Sequence, residues 1–213
     1  MSFAFPRIYP ILDSSFIPSA NRADFLRKLG HSLADAGITL LEYRNKIGSD
    51  GEHLADCAIL RSAMPAPNIK LILDDRAHLV VEARFDGVHV DSGDSTPTEA
   101  RILLGPDCLI GTFGGCACLL PGILDEPVDY WAIGPVYATN TKQTTFDPIG
   151  AEGVRRLRED AGPDIVLTAA AGITLDNAAE VLAAGATTVA VSAALFNTPD
   201  PAAEFTRWMQ QLR

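Results

Sequence analysis

Residues 70–94 read KLILDDRAHLVVEARFDGVHVDSGD. Two short β-rich runs, KLILD (70–74) and DGVHV (86–90), flank a brief crossover; the first ends in an acid and the second runs into one. Asp74 and Asp75 close the first run, and Asp91 and Asp94 follow the second. Strand, crossover, strand is the repeating unit of a parallel sheet.

Six more runs of the same kind occur outward from this unit. They are RIYPIL (7–12), ITLLEY (38–43), CLIGT (108–112), YWAIG (130–134), IVLTA (165–169) and TVAVS (188–192). Segments with helical spacing lie between them. In RADFLRKLGHSLADAG, Phe25, Leu26, Leu29 and Leu33 recur on one face; in LDNAAEVLAAG, Ala178, Val181 and Leu182 do so before a stop at Gly185. Eight strand and crossover units in 213 residues predict a single (β/α)8 TIM barrel rather than an open doubly wound sheet. With no linker or break in composition, residues 1–213 form one domain. The weakest unit is 115–128, where Pro121 and Gly122 leave room for only a short helix or a loop.

Composition narrows the function. The chain is 47% apolar and 21% charged, with a net charge of −10. That balance suits a globular protein and disfavours nucleic acid or an anionic membrane as partner. The N-terminal MSFAFPRIYPIL has no basic leader before an apolar stretch, and no apolar run is long enough to span a bilayer, so a cytoplasmic location is expected. Cys57, Cys108, Cys116 and Cys118 have neither zinc nor redox spacing and read as buried thiols of a reducing compartment.

In a β/α barrel, chemistry sits at the C-terminal ends of the strands. The second strand ends in Glu42, Arg44 and Lys46; at a period of two, all three share one face if the strand continues through 46. Arg and Lys there can grip phosphate oxygens, although surface charge on a solvated strand end reads equally well from this piece alone. Asp74, Asp75, Asp91 and Asp94 end adjacent strands, and carboxylates placed so can converge on Mg²⁺. For Asp94 or Ser95 the alternative is to cap the helix around TPTEARILL. His89, inside an apolar strand, reads as a hydrogen-bonded core histidine.

The loop GPVYATNTKQT supplies Thr139, Thr141 and Lys142, two hydroxyls and a cation suited to closing over a phosphate. Small residues follow the last two strands in TAAAGIT and AVSAALF, as a backbone phosphate cradle requires. The strand ends together imply phosphorylated small-molecule ligands and a divalent cation.

These motifs, in this order, resemble the thiamine phosphate synthase family over nearly the whole chain. GITLLEYRNK is similar to its second-strand motif, LILDDRAHLVVEARFDGVHVDSGD to its third and fourth strands, GPVYATNTK to its mobile loop, and GITLDNAAEVLAAGATTVAV to its phosphate region. The resemblance implies a transferase that joins a hydroxymethylpyrimidine diphosphate to a thiazole phosphate and releases pyrophosphate by a Mg²⁺-assisted dissociative route. It implies that Arg44, Lys46 and Lys142 hold pyrophosphate and that Asp75 and Asp94 bind Mg²⁺. Thr139, Thr141 and the Gly172 amide would place substrate phosphate.

The chain departs from the family pattern at several positions. Glu42 stands where the family usually has a pyrimidine-contacting Gln, Asp74 where it has Asn, and Phe113 where it has a pyrophosphate-contacting Ser. Ala171 replaces the first Gly of a Gly-Gly-Ile motif, and Ala193 falls at a phosphate-binding Ser, with Ser192 one position early. Gly114 and Gly115 offer backbone amides near Phe113. A thiazole tautomerase of the same fold is also similar, but it needs a His in the loop after strand five, where this chain has Gly115. A divergent paralogue, a non-catalytic phosphate-binding regulatory barrel and assembly as a homodimer remain open at this level.

Overall fold

The computed structural model describes residues 3–91, 95–139 and 145–212. Among them are eight strands: β1 (Ile8–Asp13), β2 (Leu40–Arg44), β3 (Lys70–Asp74), β4 (Gly87–Val90), β5 (Leu109–Gly115), β6 (Tyr130–Ile133), β7 (Leu167–Ala170) and β8 (Thr188–Val191). All pair in parallel and in sequence order, and β8 returns to β1 to close the barrel. The expected fold is therefore observed.

The helices among the described residues are α1 (Arg22–Asp35), α2 (Asp50–Ala63), α3 (Val80–Ala83), α4 (Pro97–Leu104), α5 (Gly150–Ala161), α6 (Leu175–Ala183), α7 (Ala193–Phe196) and α8 (Pro201–Gln211). They cover the outside of the barrel. Leu26, Leu29 and Leu33 of α1 and Trp208 of α8 are buried in one continuous outer core. Truncating any one of these leucines to Ala costs roughly 2–5 kcal/mol.

Local sequence sets the helix starts. Ser49 and Glu52 form a reciprocal capping box before α2, and Thr96 and Glu99 do the same before α4. The cap of α4 is thus Thr96, not Asp94 or Ser95, because only Thr96 stands three residues ahead of a Glu. Between β5 and β6 only a 3₁₀ turn, Ile123–Asp125, stands where other units have a helix. β5 runs past Thr112 to Gly115, which carries Cys116 and Cys118 outward. Cys57 alone of the four free thiols is fully buried, correcting the expectation that all are.

Inside the barrel, a second apolar cluster of Tyr9, Leu40, Ile72, Leu109, Tyr130 and Ala190 fills the lower half. Phe3 and Phe5 plug its N-terminal end: their rings lie 5.1 Å apart, and Phe5 lies 5.3 Å from Tyr130. The Tyr130 ring occupies the space over Gly111, where a Cβ would come within 1.9 Å of Cζ. Glycine is required there to admit a full aromatic ring to the centre of the barrel.

Candidate active site

β2 supplies the principal side chains. The strand, expected over 38–43, spans Leu40–Arg44 and does not continue through Lys46. Asn45 breaks it: its Oδ1 accepts from the Gly48 and Ile47 amides (3.0 and 3.3 Å), and its Nδ2 donates to the Tyr43 hydroxyl. This Asx-type turn competes with the ladder. Lys46 nevertheless reaches the space above the barrel from the loop, and its Nζ stands 2.8 Å from Asp74 Oδ2 and also pairs with Asp75. Arg44 pairs with Asp13, its register neighbour at the end of β1, and its Nε lies 3.7 Å from Asp74 Oδ2. The structure thus gathers Arg44, Lys46, Asp74 and Asp75, and adds Asp13.

Two cations among three carboxylates leave the carboxylates unevenly placed. Burial pushes the Asp13 carboxyl up, but hydrogen bonds from Ser15 and the Arg44 guanidinium outweigh it and hold the group below its ordinary value. Asp74 is raised: its burial outweighs the pull of Lys46, and Asp75 adds repulsion. Glu42, only 3% exposed, points into the barrel below this cluster. Burial, then the nearby Asp74, push it up to about 8. Its Oε2 accepts from Tyr9 at 2.8 Å, Tyr9 meets the Tyr130 hydroxyl at 2.7 Å, and that hydroxyl lies 3.2 Å from His89 Nδ1. The expected hydrogen-bonded role of His89 is observed.

The tip of β3 is strained. Asp75 and Arg76 have φ of 59° and 48°, a left-handed pair without glycine. Three contacts hold it: the Asp75 amide donates to the His89 carbonyl at 2.8 Å, Arg76 donates to the Gly48 carbonyl at 2.7 Å, and Arg76 pairs with Asp50. A cavity of about 350 Å³ opens beside it, lined by Asn45, Lys46, Asp75, Arg76, His78 and Ser95.

The remaining expected residues lie at other strand ends. Thr139 follows β6 and is partly buried. Gly172 follows β7 with φ of 67°, and a Cβ there would lie 2.6 Å from the Ala138 carbonyl oxygen, so the β7 turn and the β6 loop touch through glycine. Ala171 beside it has φ of 75°, a strained position for a residue with a Cβ. Ser192 donates to the Ile11 carbonyl at 2.7 Å, and Ala193 is the first residue of α7. Phe113 stacks on Phe146 at 6.0 Å. Asp94, Thr141 and Lys142 lie outside the described residues.

The sequence reading did not single out Asp13, Tyr9 or Tyr130. The signal for Asp13 was present, an acid directly after an apolar run. Tyr9 and Tyr130 read as core aromatics, and nothing local marks their hydroxyls as partners of a residue on β2.

The closed parallel barrel, with cations and carboxylates from adjacent strand ends gathered at its C-terminal mouth, has the architecture of a (β/α)8 enzyme. The chain belongs to the thiamine monophosphate synthase family, whose model matches residues 8–195. It is 39% identical to the thiamine-phosphate synthase of Koribacter versatilis over 91% of this chain and 90% of that protein. It is 33% identical to the thiamine-phosphate synthase of Agrobacterium fabrum, over 89% and 86% respectively. In fold it is similar to a solved thiamine phosphate pyrophosphorylase from Pyrococcus furiosus, with a TM-score of 0.77, 23% identity, and coverage of 97% and 95%.

Proposed function

We propose that the protein is a thiamine-phosphate synthase that couples hydroxymethylpyrimidine diphosphate to a thiazole phosphate and releases pyrophosphate. The observation that carries this reading is the Arg44 and Lys46 pair held at the barrel mouth by Asp13, Asp74 and Asp75, in a chain of this family. Arg44 and Lys46 would exchange carboxylate partners for the pyrophosphate oxygens. Lys142, Thr139, Thr141 and Gly172 are proposed to hold phosphate from the facing loops.

Asp75 and Asp94 are the proposed holders of Mg²⁺. Among the described residues no group of three or more His, Cys, Asp or Glu gathers into a cage. Mg²⁺ commonly takes one or two carboxylates and fills its remaining positions with phosphate and water, which is the arrangement proposed here. When bound, Mg²⁺ neutralises charge on the departing pyrophosphate. The C–O bond breaks with its electron pair going to pyrophosphate, and the aminopyrimidine ring supports the resulting cation. The thiazole nitrogen then forms the C–N bond. Arg44 and Lys46 stabilise the leaving group electrostatically, and no protein nucleophile takes part.

Free thiols suit a reducing compartment, and the cytoplasm is the proposed location. Among the described residues, no helix is long and apolar enough to cross a membrane. The test is a steady-state assay of pyrophosphate release with both substrates and Mg²⁺. Turnover in the wild type, abolished by Asp75→Ala, supports the reading; absent turnover at saturating substrates with ligand binding intact refutes it.

A further inference from the structure

Glu42 is a buried acid that the proposed reaction does not use. Its Oε2 takes a hydrogen bond from Tyr9. Among the described residues, no basic side chain forms an ion pair with it. The two cations near it are committed elsewhere, Arg44 to Asp13 and Lys46 to Asp74 and Asp75. The charged and titratable groups around it come from four other elements as well as its own. They are Tyr9 and Asp13 on β1, Arg44 on β2 with Lys46 just after it, Asp74 on β3, and Tyr130 on β6 with His89 of β4 behind it.

The hydrogen-bond chain has a direction. Tyr9 has one hydroxyl hydrogen, and when it goes to Glu42, Tyr130 must donate to Tyr9 and His89 Nδ1 must donate to Tyr130. When Glu42 holds a proton on Oε2 and the His89 imidazole carries its proton on Nε2 instead of Nδ1, the order reverses: Glu42 donates to Tyr9, Tyr9 to Tyr130, and Tyr130 to Nδ1. Both states satisfy every hydroxyl, so the interior accepts either form of Glu42 without a buried unpaired group. What differs is the charge under Arg44 and Lys46. With Glu42 ionised, four carboxylates face two cations; with Glu42 protonated, three do.

We propose that Glu42 is a proton-linked positioning residue: proton binding at Glu42 and anion binding at Arg44 and Lys46 strengthen one another. An ionised Glu42 draws on the same two cations that an incoming anion must recruit, and a bound anion in turn disfavours the ionised carboxyl. Linkage makes the two effects equal. Burial and Asp74 already place the titration near neutrality, at about 8. The anion site is therefore charged for binding below that pH and loses strength above it. The inference rests on Arg44 and Lys46 as the anion site, and it is independent of which substrates react there.

The probes are inorganic pyrophosphate and sulfate, the second because it does not titrate near neutrality. Their affinities for the whole protein are measured from about pH 6.5 to about pH 9.5 for wild type, Glu42→Gln and Tyr9→Phe. A coupling of ordinary size weakens wild-type binding by roughly 5–150-fold across the titration. Glu42→Gln, neutral at every pH, removes that loss. Tyr9→Phe deletes the hydrogen bond that favours the carboxylate and moves the loss to higher pH. Calorimetry in buffers of different ionisation enthalpy reads proton uptake on anion binding near pH 8 in wild type and none from this group in Glu42→Gln. An infrared carboxyl band of the protonated form, present at pH 7 and lost above pH 9 in wild type and missing from Glu42→Gln, separates Glu42 from the neighbouring buried Asp74. Superimposable profiles for wild type and Glu42→Gln overturn the linkage. Anion binding that is unchanged by Lys46→Ala overturns the assignment of the anion site instead, and the two failures are told apart by which variant is silent.

Discussion

Lys46 Nζ stands 2.8 Å from Oδ2 of Asp74, a carboxylate only 5% exposed. The lysine comes from a loop and the acid from a strand end, so the contact ties the loop after β2 to the tip of β3. It also makes Asp74 a competitor for any anion that Lys46 is to bind.

Replacing Asp74 by Asn removes that competition and leaves a neutral group of the same shape. Pyrophosphate binding to Asp74→Asn is expected to tighten by several-fold, with little change in fold. Lys46→Ala has the opposite effect and also strands a buried acid. Its cost in urea denaturation should fall below the roughly 3–5 kcal/mol of a fully buried pair, since Lys46 is partly exposed and Arg44 remains near. Unaltered affinity in both variants would remove Lys46 from the anion site.

Glu42 makes a separate prediction for stability. Its ordinary value is 4.5 and its value in the fold is about 8. Folding therefore takes up a proton between those two pH values, and stability contributed by the group is full below about 4.5 and lost progressively up to about 8. The slope reaches about 1.4 kcal/mol per pH unit at its steepest. Glu42→Gln lacks this term, so its stability relative to wild type should rise across that window and stay level above it. Denaturant melts of both proteins at a series of pH values read the difference directly.

Asp56 of α2 is a structural counterpart that meets Tyr43 on the outer side of β2. It is 4% exposed and accepts from Arg22 Nη2 at 2.6 Å and from the Tyr43 hydroxyl. Asp56→Ala leaves both donors without their acceptor. The loss should be about 2 kcal/mol, less than for a fully buried pair because Arg22 is partly exposed and rehydrates. Denaturant melts measure it; pyrophosphate affinity should change far less than in Lys46→Ala, since the network reaches the mouth only through the hydrogen bond from Asn45 to the Tyr43 hydroxyl.

Gly172→Ala tests the contact between the β7 turn and the β6 loop. The added methyl meets the Ala138 carbonyl and occupies a positive φ. A destabilisation of about 1–3 kcal/mol is expected, together with a weaker KM for the phosphorylated substrate and a smaller change in kcat. Thermal melts and steady-state kinetics separate the two effects.

The fold was legible because each strand is a short apolar run, and period alone finds such runs. β3, KLILD, occupies the residues that the pattern gave. β2 shows where period is silent: alternation left open whether the strand continues through Lys46, and Asn45 captures backbone amides and ends it at Arg44. The mouth was half legible. Charges at strand ends announce themselves, and Arg44, Lys46 and Asp75 meet as their positions implied. Asp13 was missed because its significance is a register fact, its place beside Arg44 across β1 and β2. Tyr9 and Tyr130 are 121 residues apart in sequence, and no local pattern relates one hydroxyl to another over that span.

Phe3 and Phe5 close the N-terminal end of the barrel against Tyr130. They insulate the underside of Tyr130 from water, and through Tyr130 and Tyr9 the underside of Glu42. The electrical character of the mouth is in this way written at the opposite end of the molecule. Replacing Phe3 or Phe5, at the opposite end of the barrel, would be read as a change of charge among Glu42, Arg44 and Lys46.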